Sequence, residues 1–397
     1  MSKETAAFVA KYATKRHGTN SLKWDALQAR YGDPDLIAMW VADMEFRTPE
    51  VVIDALTKRI AQGVYGYSFT PDSYYDAYFT WQKQRHNITL KKEWLRFDNG
   101  VVNSLYGLIN TFTAPDDAVM ILTPVYYPFR NAVQDNHRKL VASELQRDDA
   151  GLYTIDFADV EAKIKANQVK LLINCSPHNP VGRIWTEAEL QQLLDLCRQY
   201  HVLVVSDEIH QDIEIGTRPF ISALNVANGA YDDELIVVTA PSKTFNLASL
   251  LNSHVIIPDE KIRAQYDAGK KRFNETEISL LGQVAAEAAY KNGGAWLDSL
   301  LAVIRENEQY VRTELGAKVP AIKIAPLEGT YLLWLDLRDL VPVADTKTFI
   351  QDKCRIAVDF GQWFGEQDAG FVRFNLATDP ANVKQAVANV VQQARLL

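Results

Sequence analysis

The sequence predicts an α/β protein: a large domain with a mostly parallel central sheet flanked by helices, then a smaller α+β domain. Three observations predict it. The runs "VKLLINC" (Val169–Cys175), "VLVVSDE" and "ELIVVTA" are short and continuously apolar, as in strands buried on both faces. Between the first two lies "TEAELQQLLDLCRQY", a helical segment opened by Thr186 and Glu189 as a capping box. After Pro258 the pattern changes to a long helical stretch through about Tyr290, then to strand-like "TYLLWLDL" and "GFVRFNLA". Strand, helix and strand at this spacing make βαβ units and a parallel sheet.

The elements follow in order. Residues 1–48, rich in Tyr, Trp, Gly and Pro, read as an irregular arm that packs with the small domain. "RTPEVVIDALTKRIAQG" reads as a helix with Thr48 as N-cap, Pro49 in the first position and Gly63 as the stop. Its Val52, Leu56 and Ile60 share one face. "WLRFDNG" ends in a glycine turn that opens a helix, "VVNSLYGLINTF", with Asn103 and Ser104 in its first turn. The large domain is expected over residues 49–287 and the small one over 288–397.

The chain has 397 residues, 47% hydrophobic and 23% charged, which is ordinary globular composition and long enough for two domains. A net charge of -8 argues against a nucleic-acid partner. The clusters Lys15-Arg16, Lys91-Lys92 and Lys270-Lys271-Arg272 are short and read as solvated faces. The three cysteines form no CxxC pair, so neither a disulfide framework nor a metal site is expected. No apolar run approaches the ~18 residues a membrane helix needs, and "MSKETAAFVAKYATKRHG" lacks a signal peptide's apolar core. The expectation is a soluble, cytoplasmic protein with no membrane partner.

Parallel sheets bind ligands beyond the carboxyl ends of their strands. Several apolar runs here end on polar residues. After "INC" comes "SPHNPVGRIW", where two prolines and a glycine fix a loop around Asn179; alone, Asn179 reads equally as a turn asparagine. After "VLVVS" come Asp207, Glu208 and His210; a carboxylate there suits a buried cation. His210 alone reads as a satisfied polar contact. After "LIVVTAP" come Ser242 and Lys243, and a desolvated lysine can attack a carbonyl to give a Schiff base. Free N–H groups at the start of "VVNSLYGLINTF" suit a phosphate. GxGxxG and a Walker lysine are both absent. Together the set matches pyridoxal phosphate (PLP): lysine for its aldehyde, carboxylate for its ring nitrogen, amide for its phenolic oxygen, helix start for its phosphate.

The order and spacing of Asn179, Asp207 and Lys243 resemble those of fold-type I PLP enzymes, the aspartate aminotransferase superfamily, whose PLP-dependent transferase-like fold is therefore expected. "SPHNPVGR-W", "SDEIHQD" and "SKTFNLA" resemble more narrowly the cystathionine β-lyase (C–S lyase) subfamily of MalY/PatB type. So do "HGTNSLKWD", "MWVADMEFRTP", "VYGYS", "TPVYYPF" and "VRFNLAT", from about residue 17 to residue 378. The resemblance implies that Lys243 holds PLP and later moves the Cα proton. It implies that Asp207 pairs with the pyridinium nitrogen, Asn179 bonds the phenolic oxygen and Tyr126 stacks on the ring. Val101 and Val102, with Ser242 and with help from Thr239, would hold the phosphate. Tyr67 of "YGY" would reach the neighbouring subunit's phosphate, making a homodimer the active unit. Arg373 would grip the substrate's α-carboxylate, with Ala42 and Met44 at the substrate.

Two positions depart from the aminotransferase pattern. His210 stands where aminotransferases usually carry a tyrosine near the phenolic oxygen, as in the lyase subfamily. Leu251 stands where many carry an arginine on the phosphate. The reading is a C–S β-lyase that cleaves L-cystathionine or a related cysteine S-conjugate to a thiol, pyruvate and ammonia. The alternative is an aminotransferase on the same site. Cys175 reads as a small core residue. Asp43 and Glu45 read as part of the active-site wall, and "FGQWFG" as a loop facing the cleft with Trp363 or Phe364 near substrate.

Overall fold

A computed structural model of the chain describes residues 1–273 and 278–397. Strands without a polar break need cover on both faces, and the three apolar runs lie inside one seven-stranded sheet. Its order is Leu95–Asp98, Ser253–Ile256, Leu235–Thr239, Leu203–Asp207, Leu171–Cys175, Ala118–Thr123, Lys139–Glu144. Ser253–Ile256 is antiparallel to both its neighbours, and the other pairs are parallel. Alternate residues serve opposite faces. Val119, Ile121, Leu171 and Ile173 pack under helices Val101–Phe112, Pro128–Asp135 and Glu260–Phe273. Met120, Leu172, Val204 and Val237 pack with residues of Phe157–Asn167 and Glu187–Gln199. The capping box holds: Thr186 Oγ1 accepts from the Glu189 N–H, and Glu189 reaches back to the Thr186 N–H.

Register decides where the chemistry emerges. Cys175 lies opposite Asp207, and Asp207 opposite Val238. The carboxyl ends of three adjacent strands are therefore level, and the chain leaves all three at one edge.

A second, antiparallel sheet runs Lys323–Ile324, Leu332–Asp336, Phe371–Asn375, Asp359–Phe360. The helices Gly294–Lys318 and Pro380–Ala394 belong to the same C-terminal part of the chain. Helix Leu280–Asn292, N-capped by Ser279, runs through residue 287, so the division expected there falls inside a helix.

Three expectations are corrected. The first residues are not irregular. Ser2 caps a helix over Lys3–Tyr12, whose Phe8 packs on Phe46 and Trp296, and Ile37–Ala38 pairs in parallel with Ile356–Ala357. The next helix spans Glu50–Ala61, with Pro49 in the cap position and Thr48 Oγ1 left without a partner. Pro49 keeps an extended ψ of 142°, so the first helical residue is Glu50, one later than expected, and Thr48 falls outside the cap. Of its predicted face Val52 is buried, but Ile60 is 52% exposed. Finally, the long stretch after Pro258 consists of two helices, Glu260–Phe273 and Leu280–Asn292; part of the expected stretch lies outside the described residues. Among the described residues, no helix is long and apolar enough to cross a membrane, and no cluster of three or more His, Cys, Asp or Glu side chains could hold a metal ion.

Candidate active site

Lys243 sits in a single helical turn, Pro241–Phe245, directly after strand Leu235–Thr239. Proline opens the turn, and Asn246, at φ 59, ends it. Lys243 Nζ donates to the Ala42 carbonyl at 2.7 Å. Burial pushes the amine down to about 8; Asp43 opposes that shift and Arg373 adds to it. Ala42 is held in place from several sides. Tyr331 donates to the same carbonyl at 2.9 Å. Asn375 Nδ2 donates to the Val41 and Asp43 carbonyls, and Asn246 clamps Met44 and Phe46. Thr244, next to the lysine, donates to Asp212 at 2.7 Å, and Asp212 also accepts from Trp81 and pairs with His86.

Asp207 ends its strand buried. Its Oδ1 accepts from the Ile209 N–H at 3.0 Å, and it has no salt-bridge partner among the described residues. Burial pushes its carboxyl up to about 7, against the pull of the Ile209 N–H and Lys243. Glu208 points elsewhere, into Ser206, Ser222 and the Ala223 N–H. His210 is buried beside Tyr331 with Nδ1 unpartnered, and desolvation drives its pKa well below the usual histidine range, so the ring is neutral.

Arg373 lies mid-strand, opposite Asp359 in one neighbour and Trp334 in the other. Its guanidinium pairs with Asp359, donates to Asn179 Oδ1 at 2.8 Å and lies 4.8 Å from the Phe364 ring centre. Its Nε is buried without a partner. The Asn179 carbonyl accepts from the Tyr126 N–H. Asn179, Tyr126 and Arg373 are thus tied together from three distant parts of the chain.

Two cavities meet at Ala42, Tyr126 and Lys243. The deeper, of about 210 Å³, is lined by Gly100, Val101, Val102, Asn179, Asp207, His210, Ser242 and Lys243 among others. In its wall the helix Val101–Phe112 begins after Gly100, at φ 137. Its first N–H groups have no intrahelical partner and favour an anion. The Asp207 carboxyl, buried without a salt-bridge partner among the described residues, lines the same cavity. That pairing fits PLP: phosphate at the helix start, ring nitrogen at Asp207, phenolic oxygen near Asn179, aldehyde at Lys243. The outer cavity, of about 390 Å³, is lined by Leu22, Ala26, Arg30, Trp40, Tyr127, Asp359 and Arg373 among others.

Several expected site residues lie elsewhere. Met44 is 1% exposed and packed in the core, because Asn246 fixes its backbone with the side chain turned inward. Thr239 is buried opposite His254 and does not line either cavity. Tyr67 is 97% exposed, in a surface groove with Tyr65 and Phe69. Asp43 and Glu45 pair with Arg16 and Lys23. Phe364 supports Arg373, and Trp363 stacks near Arg30. Leu251 is half exposed, at φ 53. Cys175 is buried and free.

Asp359, Asn375, Asn246, Asp212 and Tyr331 were not singled out from the sequence. Asn375 alone carried a signal, lying two residues after Arg373 and so on the same strand face. The others act from remote segments.

The chain matches the family model for aminotransferase class I and II over residues 34–390. It is 35% identical to cystathionine β-lyase PatB of Bacillus subtilis, across 95% of this chain and 97% of that protein. It is 32% identical to protein MalY of Escherichia coli, across 96% and 97% of the two chains. Among solved structures, cystalysin from Treponema denticola, which contains a pyridoxal 5'-phosphate cofactor, superposes with a TM-score of 0.92. It is 34% identical, and the match covers 97% of this chain and 98% of that one.

Proposed function

This chain belongs to the class I and II aminotransferase family, and from that premise we propose that it is a PLP-dependent C–S β-lyase. It cleaves L-cystathionine or a related cysteine S-conjugate, with water, to a thiol, pyruvate and ammonia. The observation that carries the reading is one shared wall: the Lys243 amine, the Tyr126 phenol and the Arg373 guanidinium line the same cavity. The full-length likeness to PatB favours elimination over amino transfer.

PLP, when bound, supplies an electron sink for the pair released from the Cα–H bond. Lys243 and Asp207 would hold it, with Asn179, Val101, Val102, Ser242 and His210 around it. Arg373 binds the substrate's α-carboxylate and so aims the Cα–H bond at Lys243. Its Asp359 partner and the Phe364 ring fix that direction. Lys243, with its pKa pushed down to about 8, takes the Cα proton as general base. Burial pushes the Tyr126 phenol up to about 12, so it stays protonated at neutral pH and serves as a donor to the departing sulfur. Hydrolysis of the remaining three-carbon enamine gives pyruvate and ammonia.

The active unit is a homodimer in which Tyr67 of each subunit reaches the other's phosphate. Its 97% exposure in the single chain supports that role. Free, buried cysteines suit a cytoplasmic setting.

A product assay tests the reading. The holoenzyme receives L-cystathionine with and without a 2-oxo acid. Equal amounts of thiol, pyruvate and ammonia without oxo acid are expected. Turnover only with oxo acid, giving a new amino acid and no thiol, would make the chain an aminotransferase.

A further inference from the structure

The outer cavity holds a charge that the reaction does not use. Arg373 is committed to Asp359, Asn179 and the α-carboxylate, and Lys243 to proton transfer. Arg30 also lines this cavity, at the end of the short helix Leu27–Tyr31. Among the described residues, no salt bridge and no side-chain hydrogen bond engages its guanidinium. It lies instead against two aromatic faces, 5.2 Å from the Trp363 ring centre and 6.0 Å from that of Trp40. Stacking of this kind orients the planar fork, and because Arg30 is exposed its N–H donors face solvent and stay open to a ligand. The wall of this cavity also includes the apolar residues Leu22, Ala26, Trp40 and Val41.

We infer that Arg30 forms a subsite for a distal carboxylate on the leaving thiol. The inference rests on the lyase reading and deepens it. With the α-carboxylate at Arg373 and Cα at Lys243, the sulfur substituent extends into the remaining space of this cavity. A methylene chain matches the apolar wall, and a carboxylate at its end meets the unspent guanidinium. The preferred substrates are therefore thioethers of cysteine with a second carboxylate, as in L-cystathionine, over uncharged S-alkyl cysteines.

The test is the ratio of kcat/KM for L-cystathionine to that for S-ethyl-L-cysteine, which has no distal charge. It is measured on the wild-type, Arg30→Met and Arg30→Lys holoenzymes. Both substitutions keep a long side chain against the two tryptophans. The ratio falls about fivefold or more in Arg30→Met and partly recovers in Arg30→Lys. In the wild type it also falls as sodium chloride is raised, because the pair is near solvent. An unchanged ratio in Arg30→Met overturns the subsite. If the wild type cleaves neither compound, the lyase reading fails separately. Calorimetric binding of both compounds to Lys243→Ala protein, with and without Arg30→Met, then decides the subsite: selective weakening of L-cystathionine supports it, and equal weakening or none overturns it.

Discussion

Lys243 is kept from its ordinary protonation by the place it occupies, at a strand exit where water is scarce. With its pKa pushed down to about 8, about a tenth of the amine is neutral at pH 7 and about half at pH 8. A free lysine would be almost wholly charged at both. Only the neutral amine attacks an aldehyde, so covalent capture of PLP by the apoprotein should quicken about fivefold from pH 7 to pH 8 and level off above. Stopped-flow absorbance after mixing measures it; a rate still climbing towards pH 10 would show an unperturbed lysine. Asp207 shows the opposite effect of the same burial, pushed up to about 7. A cation bound against it would bring it down again. Both residues were legible in the sequence, since each directly follows an apolar run. Met44 and Thr239 line neither cavity, since sequence position gives the neighbourhood of a side chain and not its direction.

At the scale of elements, the site depends on how two kinds of segment begin and end. The helix Val101–Phe112 starts from Gly100 at φ 137, with ψ 151, a conformation nearly restricted to glycine. Gly100→Ala should destabilise the fold by about 1–3 kcal/mol and weaken PLP affinity, because the helix start moves from the phosphate end of the cavity. Thermal unfolding and cofactor titration of the apoprotein measure both; unchanged affinity with lowered stability would remove that helix start from the phosphate site. The loop Val41–Phe46 is the other kind. It has no regular structure of its own and is positioned by Asn246, Asn375 and Tyr331. The capping box at Thr186 was legible because its partners are three residues apart. The clamp on Ala42 was not, because its parts come from three remote segments.

For the whole molecule, the seven-stranded sheet carries the proposed cofactor residues, and the antiparallel sheet carries Arg373 and Asp359. Arg373 and Asp359 line one cavity with Lys243 and Tyr126, and that cavity is the proposed substrate site. Tyr67 extends the argument beyond one chain. If it completes the neighbour's site, a Lys243→Ala protomer and a Tyr67→Ala protomer should complement each other. Each mixed dimer would then contain one intact site, and an equal mixture should regain about a quarter of wild-type activity by random pairing. Chromatography with light scattering would report the dimer, and activity after mixing and reassembly the shared site. A mixture no more active than its parts would place Tyr67 outside the partner's site.

The sequence by itself determined the strands, where along the chain each ends and the types of residue left there, because these follow from continuous apolar runs and their immediate neighbours. It also carried the ordered motifs that resemble the lyase subfamily. Tertiary structure alone decided which polar groups meet. Arg373 faces Asn179 and Asp359, Lys243 faces Ala42, and Arg30 shares a cavity with them. Such pairings are set by sheet register and by packing between distant segments, and no local pattern encodes them.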